Sequence, residues 1–218
     1  MAEGSHNPQN GSQPHDTAVI YVVDDDEGVR EYVSWLLQSA GWQVQPFASA
    51  QRFLDAYDPS LPGCLVTDIR MPGLSGLDLQ RELAKRDCRI PIIMISAFAE
   101  VPTAVRAMRE GAVDFLEKPF DGQTLLDRVR VAVDSDRREH ETRAERTQIA
   151  ARLAKLTPRQ RSVLDGLTAG KPSKVIAAEL GVSPRTVDVH RFRLMHQLGA
   201  ESLPDLFRRV MLVRGSSS

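Results

Sequence analysis

Three adjacent aspartates, Asp24, Asp25 and Asp26, follow directly on the apolar run "AVIYVV". Two like unit charges held about 4 Å apart cost roughly 4 kcal/mol at an effective dielectric of about 20, so such a cluster calls for a cation or a proton. Three further polar residues end apolar runs in the same way. Asp68 closes "GCLVTD", Ser96 closes "PIIMIS" and Lys118 closes "VDFLEK". Runs of this length, rich in valine and isoleucine, read as strands buried on both faces. Open α/β sheets place their ligands outside the carboxyl ends of their strands, so this reading brings two or three carboxylates, a hydroxyl and an ammonium to one crevice. The competing reading is that the aspartates cap the next helix, and for Asp26 a cap or a solvent-facing role is the expectation.

Those groups meet only if the elements carrying them form one sheet. Strand patterns at "AVIYVV", "QVQPF", "GCLVTD", "PIIMIS" and "VDFLEK" alternate with helical patterns from about Gly28 to Ser39, Ala50 to Tyr57, Gly76 to Arg86, Pro102 to Glu110 and Gln123 onward. Five βα units predict an α/β fold with a five-stranded, doubly wound parallel sheet over residues 18–133. Gly41 and Gly111 stand where helix ends favour a residue without a Cβ. Residues 1–17, rich in Gly, Ser, Asn, Gln, Pro and His, read as a disordered tail. After Val133 the stretch "DSDRREHETRAERTQ" has good helix formers and a Glu139/Arg143 pair four apart, so residues 134–155 read as a continuing, exposed helical linker, with a flexible loop as the alternative. From Leu156 to about residue 214 the pattern is wholly helical. Thr157 and Ser183 cap helices whose first residues are Pro158 and Pro184, and Gly181 and Gly199 stop helices, giving a small all-α helix-turn-helix domain.

Charge divides the chain in the same place. Residues 1–131 hold 12 Lys+Arg against 19 Asp+Glu, while residues 151–218 hold 12 against 5. A basic second part joined to an acidic first part points to nucleic acid as a partner of the second. Among the 218 residues no run approaches 18 consecutive apolar residues, and no basic stretch followed by an apolar one opens the chain, so the expectation is a cytoplasmic protein without a membrane partner. Cys64 and Cys88 lack metal-site spacing and read as reduced, buried thiols.

The motifs "VVDDDE", "TDIRMPG", "MISA" and "EKPF", followed by "LTPRQRSVL…SKVIAAELGVSPRTVDVHR", resemble those of two-component response regulators with a receiver domain and a LuxR-type helix-turn-helix, and are most similar to the FixJ branch of the FixJ/NarL family. The resemblance covers everything except the first 17 residues. It implies a flavodoxin-like receiver in which Asp68 accepts a phosphoryl group from a sensor histidine kinase. It also implies a Mg²⁺ held by Asp25, Asp68 and the Arg70 backbone carbonyl, with Asp24 acting partly through water. Lys118 would stabilise the phosphoryl group, its bond to Pro119 being cis, and Ser96 and Phe115 would form the switch pair.

Phosphorylation would then produce a homodimer, through the face of residues about 101–120, that binds promoter DNA and acts on RNA polymerase. The chain would not be an enzyme beyond assisting its own phosphoryl transfer and hydrolysis. In the second domain Thr186, Asp188, Val189, Phe192 and Arg193 would face the bases, with Lys174, Arg185, His190 and Arg191 at phosphates. Val189 and Phe192 are also readable as core, and Asp188 either as an acceptor for cytosine N4 or as an anchor for Arg185 or Arg191. Leu194, Met195 and Leu198 read as core.

Two departures from the branch stand out: "AFAEVP" at 97–102 in place of a Gly-His-Gly-Asp-like loop, and Phe115 where tyrosine is commoner. The enzymatic alternative, an aspartate-nucleophile phosphatase of the haloacid dehalogenase type, wants an acid two residues beyond the nucleophile, where this chain has Arg70. A regulator that works without phosphate, or one that senses a ligand, is the third reading; the complete set of pocket residues weighs against it.

Overall fold

The computed structural model describes residues 18–97 and 101–215. The polar tail at 1–17 and the centre of "AFAEVP" lie outside the described residues. The packing divides the chain into two compact units, meeting in sequence between Glu139 and His140.

The first unit is a parallel sheet of β1 (Val19–Val23), β2 (Gln43–Phe47), β3 (Gly63–Asp68), β4 (Ile92–Ser96) and β5 (Asp114–Glu117), in the order β2-β1-β3-β4-β5. Helices α1 (Glu27–Ser39), α2 (Ala50–Ala56), α3 (Gly76–Lys85) and α4 (Val101–Arg109) alternate with the strands, and α5 (Gly122–Ala154) follows. The central strands β1, β3 and β4 are buried at every residue, which is why their sequences are continuous apolar runs rather than alternating ones.

Alternate residues of one strand feed two different cores. Val19, Tyr21 and Val23 join Phe53 of α2, Leu79 and Leu83 of α3 and Ala107 of α4 on one side. Ile20 and Val22 join Val33 and Leu37 of α1 and Leu125, Val129 and Val133 of α5 on the other. On the first side the rings of Tyr21, Phe53 and Tyr57 meet edge-on or tilted, with centroids 5.3–5.4 Å apart, a geometry aromatic quadrupoles favour.

Helix α5 is continuous across the stretch for which a flexible loop was the alternative. Its Asp136, 5% exposed, accepts a hydrogen bond of 2.8 Å from the Gly63 N–H at the start of β3. Asp136→Ala strands that buried donor, and a loss of about 1–3 kcal/mol is expected, read as a lower urea midpoint at unchanged m-value.

The second unit takes in the last turns of α5 together with α6 (Pro158–Thr168), α7 (Ser173–Leu180), α8 (Pro184–Leu198) and α9 (Leu203–Arg214). Leu156, Val163, Leu164, Ile176, Val187, Leu194, Leu198, Leu206 and Val210 form its core, with Leu153 of α5 packed against it. Thr157 caps α6 in a reciprocal capping box with Gln160, and Ser183 caps α8 through the Thr186 N–H. Between α7 and α8 the chain turns at Gly181, whose φ of +64° suits a residue without a Cβ.

Candidate functional site

The carboxyl ends of β1, β3, β4 and β5 bring together polar residues up to 94 positions apart in the sequence. Lys118, just beyond β5, donates through Nζ to Asp24 Oδ2 at 2.8 Å and to Asp68 Oδ1 at 2.9 Å. The Lys118 side chain is 17% exposed, while those of Asp24 and Asp68 are 1% and 10% exposed. Two carboxylates therefore share one cation in a largely water-excluded place. Burial pushes the Asp24 carboxyl above its ordinary range against the pull of Lys118, and the Asp68 charge adds to the rise. Burial alone would pull the Lys118 ammonium down, but its hydrogen bonds to Asp24 and Asp68 outweigh that and leave it raised.

The remaining oxygens are held by backbone. Asp24 Oδ1 accepts the Asp26 N–H at 2.9 Å, and Asp68 Oδ2 accepts the Arg70 N–H at 2.9 Å. Lys118 is placed in turn by its own N–H, which donates to the Ser96 carbonyl at 2.8 Å, and its peptide bond to Pro119 is cis. Ser96 is buried at the end of β4, and Phe115 of β5 is half-buried against the core on that side. Asp25 is exposed beside the pair. Asp26 is the cap of α1, its Oδ1 accepting the Val29 N–H at 3.0 Å, so the capping reading holds for one of the three aspartates.

Four residues that sequence reasoning passed over complete the pocket. Arg30, one turn into α1, donates to the carbonyls of Asp24 at 2.7 Å and Asp25 at 3.4 Å, clamping the acidic loop from its backbone side. Gly76 opens α3 directly against the chain leaving β3, its N–H donating to the Ile69 carbonyl at 3.0 Å. Ser75 and Asp78 close a capping box that fixes that same helix start. Only the Ser-x-x-Asp spacing of the cap was open to sequence reading.

The donor set is hard oxygen with surplus negative charge, two carboxylates against one ammonium with a third nearby, and that chemistry suits a divalent cation such as Mg²⁺. Among the described residues, however, no three acids are gathered closely enough to surround an ion. Lys118 occupies the inner oxygens of Asp24 and Asp68, and Asp25 stands outside that pair.

In the second unit, α8 buries Val187, Leu194 and Leu198, with Met195 half-buried. Val187 is a core residue the sequence reading did not assign. Val189 and Phe192, for which core was one reading, are 43% and 73% exposed, because the core stripe of α8 runs through the other residues. Lys174, Arg185 and Arg193 are exposed, and Thr186, His190 and Arg191 half-exposed. Asp188 Oδ1 accepts from Ser173 Oγ at 3.1 Å and pairs with Arg191 at 3.5 Å. His190 turns Nδ1 inward, where it is buried without a hydrogen-bond partner.

Comparison with known proteins agrees with this architecture. Residues 20–130 match the response regulator receiver domain family, and residues 154–210 match the bacterial regulatory proteins of the luxR family. The transcriptional regulatory protein FixJ of Azorhizobium caulinodans is 44% identical over 88% of this chain and 92% of its own length. FixJ of Bradyrhizobium diazoefficiens is 43% identical over 88% and 94%. The solved structure of the response regulator StyR superposes with a TM-score of 0.80 at 41% identity, covering 89% of this chain and 98% of that one. Full-length FixJ from B. japonicum gives 0.55 at 41% identity, over 90% and 97%. No helix among the described residues is long and apolar enough to cross a membrane. A receiver fold with an acidic pocket at its strand ends, followed by a LuxR-type helix-turn-helix, makes the chain a member of the two-component response regulators of the FixJ type, DNA-binding transcription regulators controlled by phosphorylation.

Proposed function

We propose that Asp68 is the phosphorylated residue, and that the observation carrying this reading is the Lys118 ammonium spanning Asp24 and Asp68 at 2.8 and 2.9 Å. An Asp68 oxygen forms a bond to phosphorus as the P–N bond of a partner kinase's phosphohistidine breaks, and the imidazole departs, taking a proton from solvent. Lys118 holds its charge where the phosphoryl oxygens accumulate theirs. Bound Mg²⁺ supplies charge neutralisation and orientation of those oxygens, and Asp25, Asp68 and the Arg70 carbonyl would hold it, with Asp24 acting partly through water. Ser96 donates its hydroxyl to the phosphoryl group, and Phe115 rotates into the space it leaves, biasing the face formed by α4 and β5. The only chemistry assigned to the chain is this self-assisted transfer and the hydrolysis that ends it.

The receiver spans residues 18–133, the linker 134–155 and the DNA-binding domain 156–214, and the protein works in the cytoplasm. Phosphorylation joins two receivers through the α4–β5 face. Val101, Val105, Met108 and Val113, 43–73% exposed, support an apolar interface there. Two tethered DNA-binding domains then gain from effective concentration on a paired site, with Thr186, Val189, Phe192 and Arg193 toward the bases and Lys174, Arg185, His190 and Arg191 toward phosphates. Asp188 takes the anchoring role. The promoter-bound dimer acts on RNA polymerase.

Incubation with a small-molecule phosphodonor and Mg²⁺ is expected to add one phosphoryl group by intact mass, mapped to the peptide carrying Asp68, and to convert monomer to dimer in sedimentation. Label mapped elsewhere overturns the assignment. A protein that stays monomeric while already occupying its operator removes dimerisation as the switch.

A second expectation concerns the metal. Binding to the folded state alone stabilises by RT ln(1 + [L]/Kd), about 2.7 kcal/mol at a hundredfold excess over Kd, so Mg²⁺ raises the Tm and Asp25→Asn loses most of that rise. Equal Mg²⁺ responses of the two proteins in a thermal melt refute this ligand set.

A further inference from the structure

We propose that Phe192, with Val189 one turn before it, recognises the 5-methyl group of thymine in the major groove and is the main source of sequence preference on α8. The inference rests on the reading of α8 as the DNA-contacting helix. The inward face of α8 is filled by Val187, Leu194 and Leu198, all fully buried, whereas Phe192 is 73% and Val189 43% exposed. Residues three apart on a helix are surface neighbours, so the two form one apolar strip.

A lone exposed apolar residue needs no explanation, but this strip shares its side of α8, by helical spacing, with the exposed Arg185 and Arg193, on a segment with 12 basic residues against 5 acidic. Such a rim is complementary to a polyanion. Two polar groups near the strip, Asp188 and Thr186, are already engaged within the protein. Asp188 is tied to Ser173 and Arg191, which spares approaching phosphates part of its charge. The Thr186 hydroxyl lies 2.9 Å from that of Ser183 in the helix cap.

The exposed arginines can meet phosphates at any sequence. The apolar strip has one counterpart on a base edge of the major groove, the thymine methyl.

The test uses the phosphorylated full-length protein and a site selected from random duplex DNA. Each thymine of that site is replaced in turn by deoxyuridine, which removes the methyl alone. Replacement at one or two positions per half-site is expected to weaken binding about fourfold, the equivalent of about 0.8 kcal/mol for one buried methyl. Phe192→Ala should bind the thymine and deoxyuridine sites equally, and Phe192→Leu should keep part of the difference. The inference fails if no deoxyuridine replacement weakens the wild type, if the selected site lacks thymine, or if Phe192→Ala still tells the two sites apart. An Arg185→Ala/Arg193→Ala variant separates the two levels. Its expected result is weaker binding with a shallower salt dependence; unchanged affinity and salt dependence would remove α8 from the interface altogether.

Discussion

Asp68→Asn is expected to take up no phosphoryl group under conditions that label the wild type completely, and to show no gain in DNA affinity on treatment with a phosphodonor. The amide is nearly isosteric with the carboxylate but lacks the charged oxygen that attacks phosphorus. Folding should survive the change for a specific reason. Lys118 keeps its 2.8 Å contact to Asp24, and the variant relieves the repulsion by which Asp68 raises the Asp24 carboxyl. Loss of labelling with an unchanged or higher urea midpoint separates lost chemistry from lost structure. Intact-mass spectra that show equal labelling of wild type and variant would sink the assignment of Asp68.

Gly76→Ala is expected to be the most damaging single-methyl change near the pocket. A Cβ on Gly76 would lie 2.3 Å from the Asp68 carbonyl oxygen, 3.1 Å from Ile69 Cα and 3.2 Å from the Asp68 carbonyl carbon. All three are backbone atoms, so no side chain can rotate away. Either α3 lifts off the sheet or the end of β3 shifts, and β3 is what holds Asp68 opposite Lys118. Overpacking of this kind costs about 1–3 kcal/mol, sometimes more, and here the displacement falls on the reacting residue itself. A drop of about 2 kcal/mol or more in urea stability, together with slower phosphodonor labelling at a temperature where the variant is still folded, is the expected pair of results. Gly28→Ala is the control. Its Cβ would meet only Asp26 Oδ1 at an ordinary 3.4 Å, and alanine favours the helix over glycine by about 0.5–1 kcal/mol. Wild-type behaviour of Gly76→Ala in both measurements would show that α3 does not press on the backbone of Asp68.

Most of the pocket was open to sequence reading because its residues sit at ends of elements that periodicity identifies. A five-residue apolar run of valine and isoleucine has few other uses than a buried central strand, and the residue after such a run stands at the sheet edge. Asp24, Asp68, Ser96 and Lys118 were placed in that way, and the alternation of strands and helices gave the parallel, doubly wound sheet, while its strand order came from the tertiary structure. Start signals of helices were equally legible at Thr157 and Ser183, since a capping side chain acts on the backbone two or three residues ahead of it. Ends were less so: the expected boundaries fall within a residue or so of α1 to α4, where the last turn depends on local contacts.

What remained hidden was decided by partners far apart in the chain. Asp136 lies in a charged stretch that reads as solvated surface, yet it accepts from Gly63, 73 residues away. Arg30 reads as one more helix-surface charge until the fold turns it back onto the carbonyls of Asp24 and Asp25. The burial of Val187 and the exposure of Val189 and Phe192 depended on which stripe of α8 meets the core of α6, α7 and α9, a choice that three valine-sized or larger apolar residues within six positions leave open. The chain by itself therefore determined the elements, the edge of the sheet that carries the chemistry and the two-part division of charge, because these rest on local periodicity and composition. Only the tertiary structure decided that one ammonium serves both Asp24 and Asp68, that Asp25 stands outside that pair, and that an apolar strip faces outward among arginines, because each is a matter of distance between residues whose separation in sequence carries no information about it.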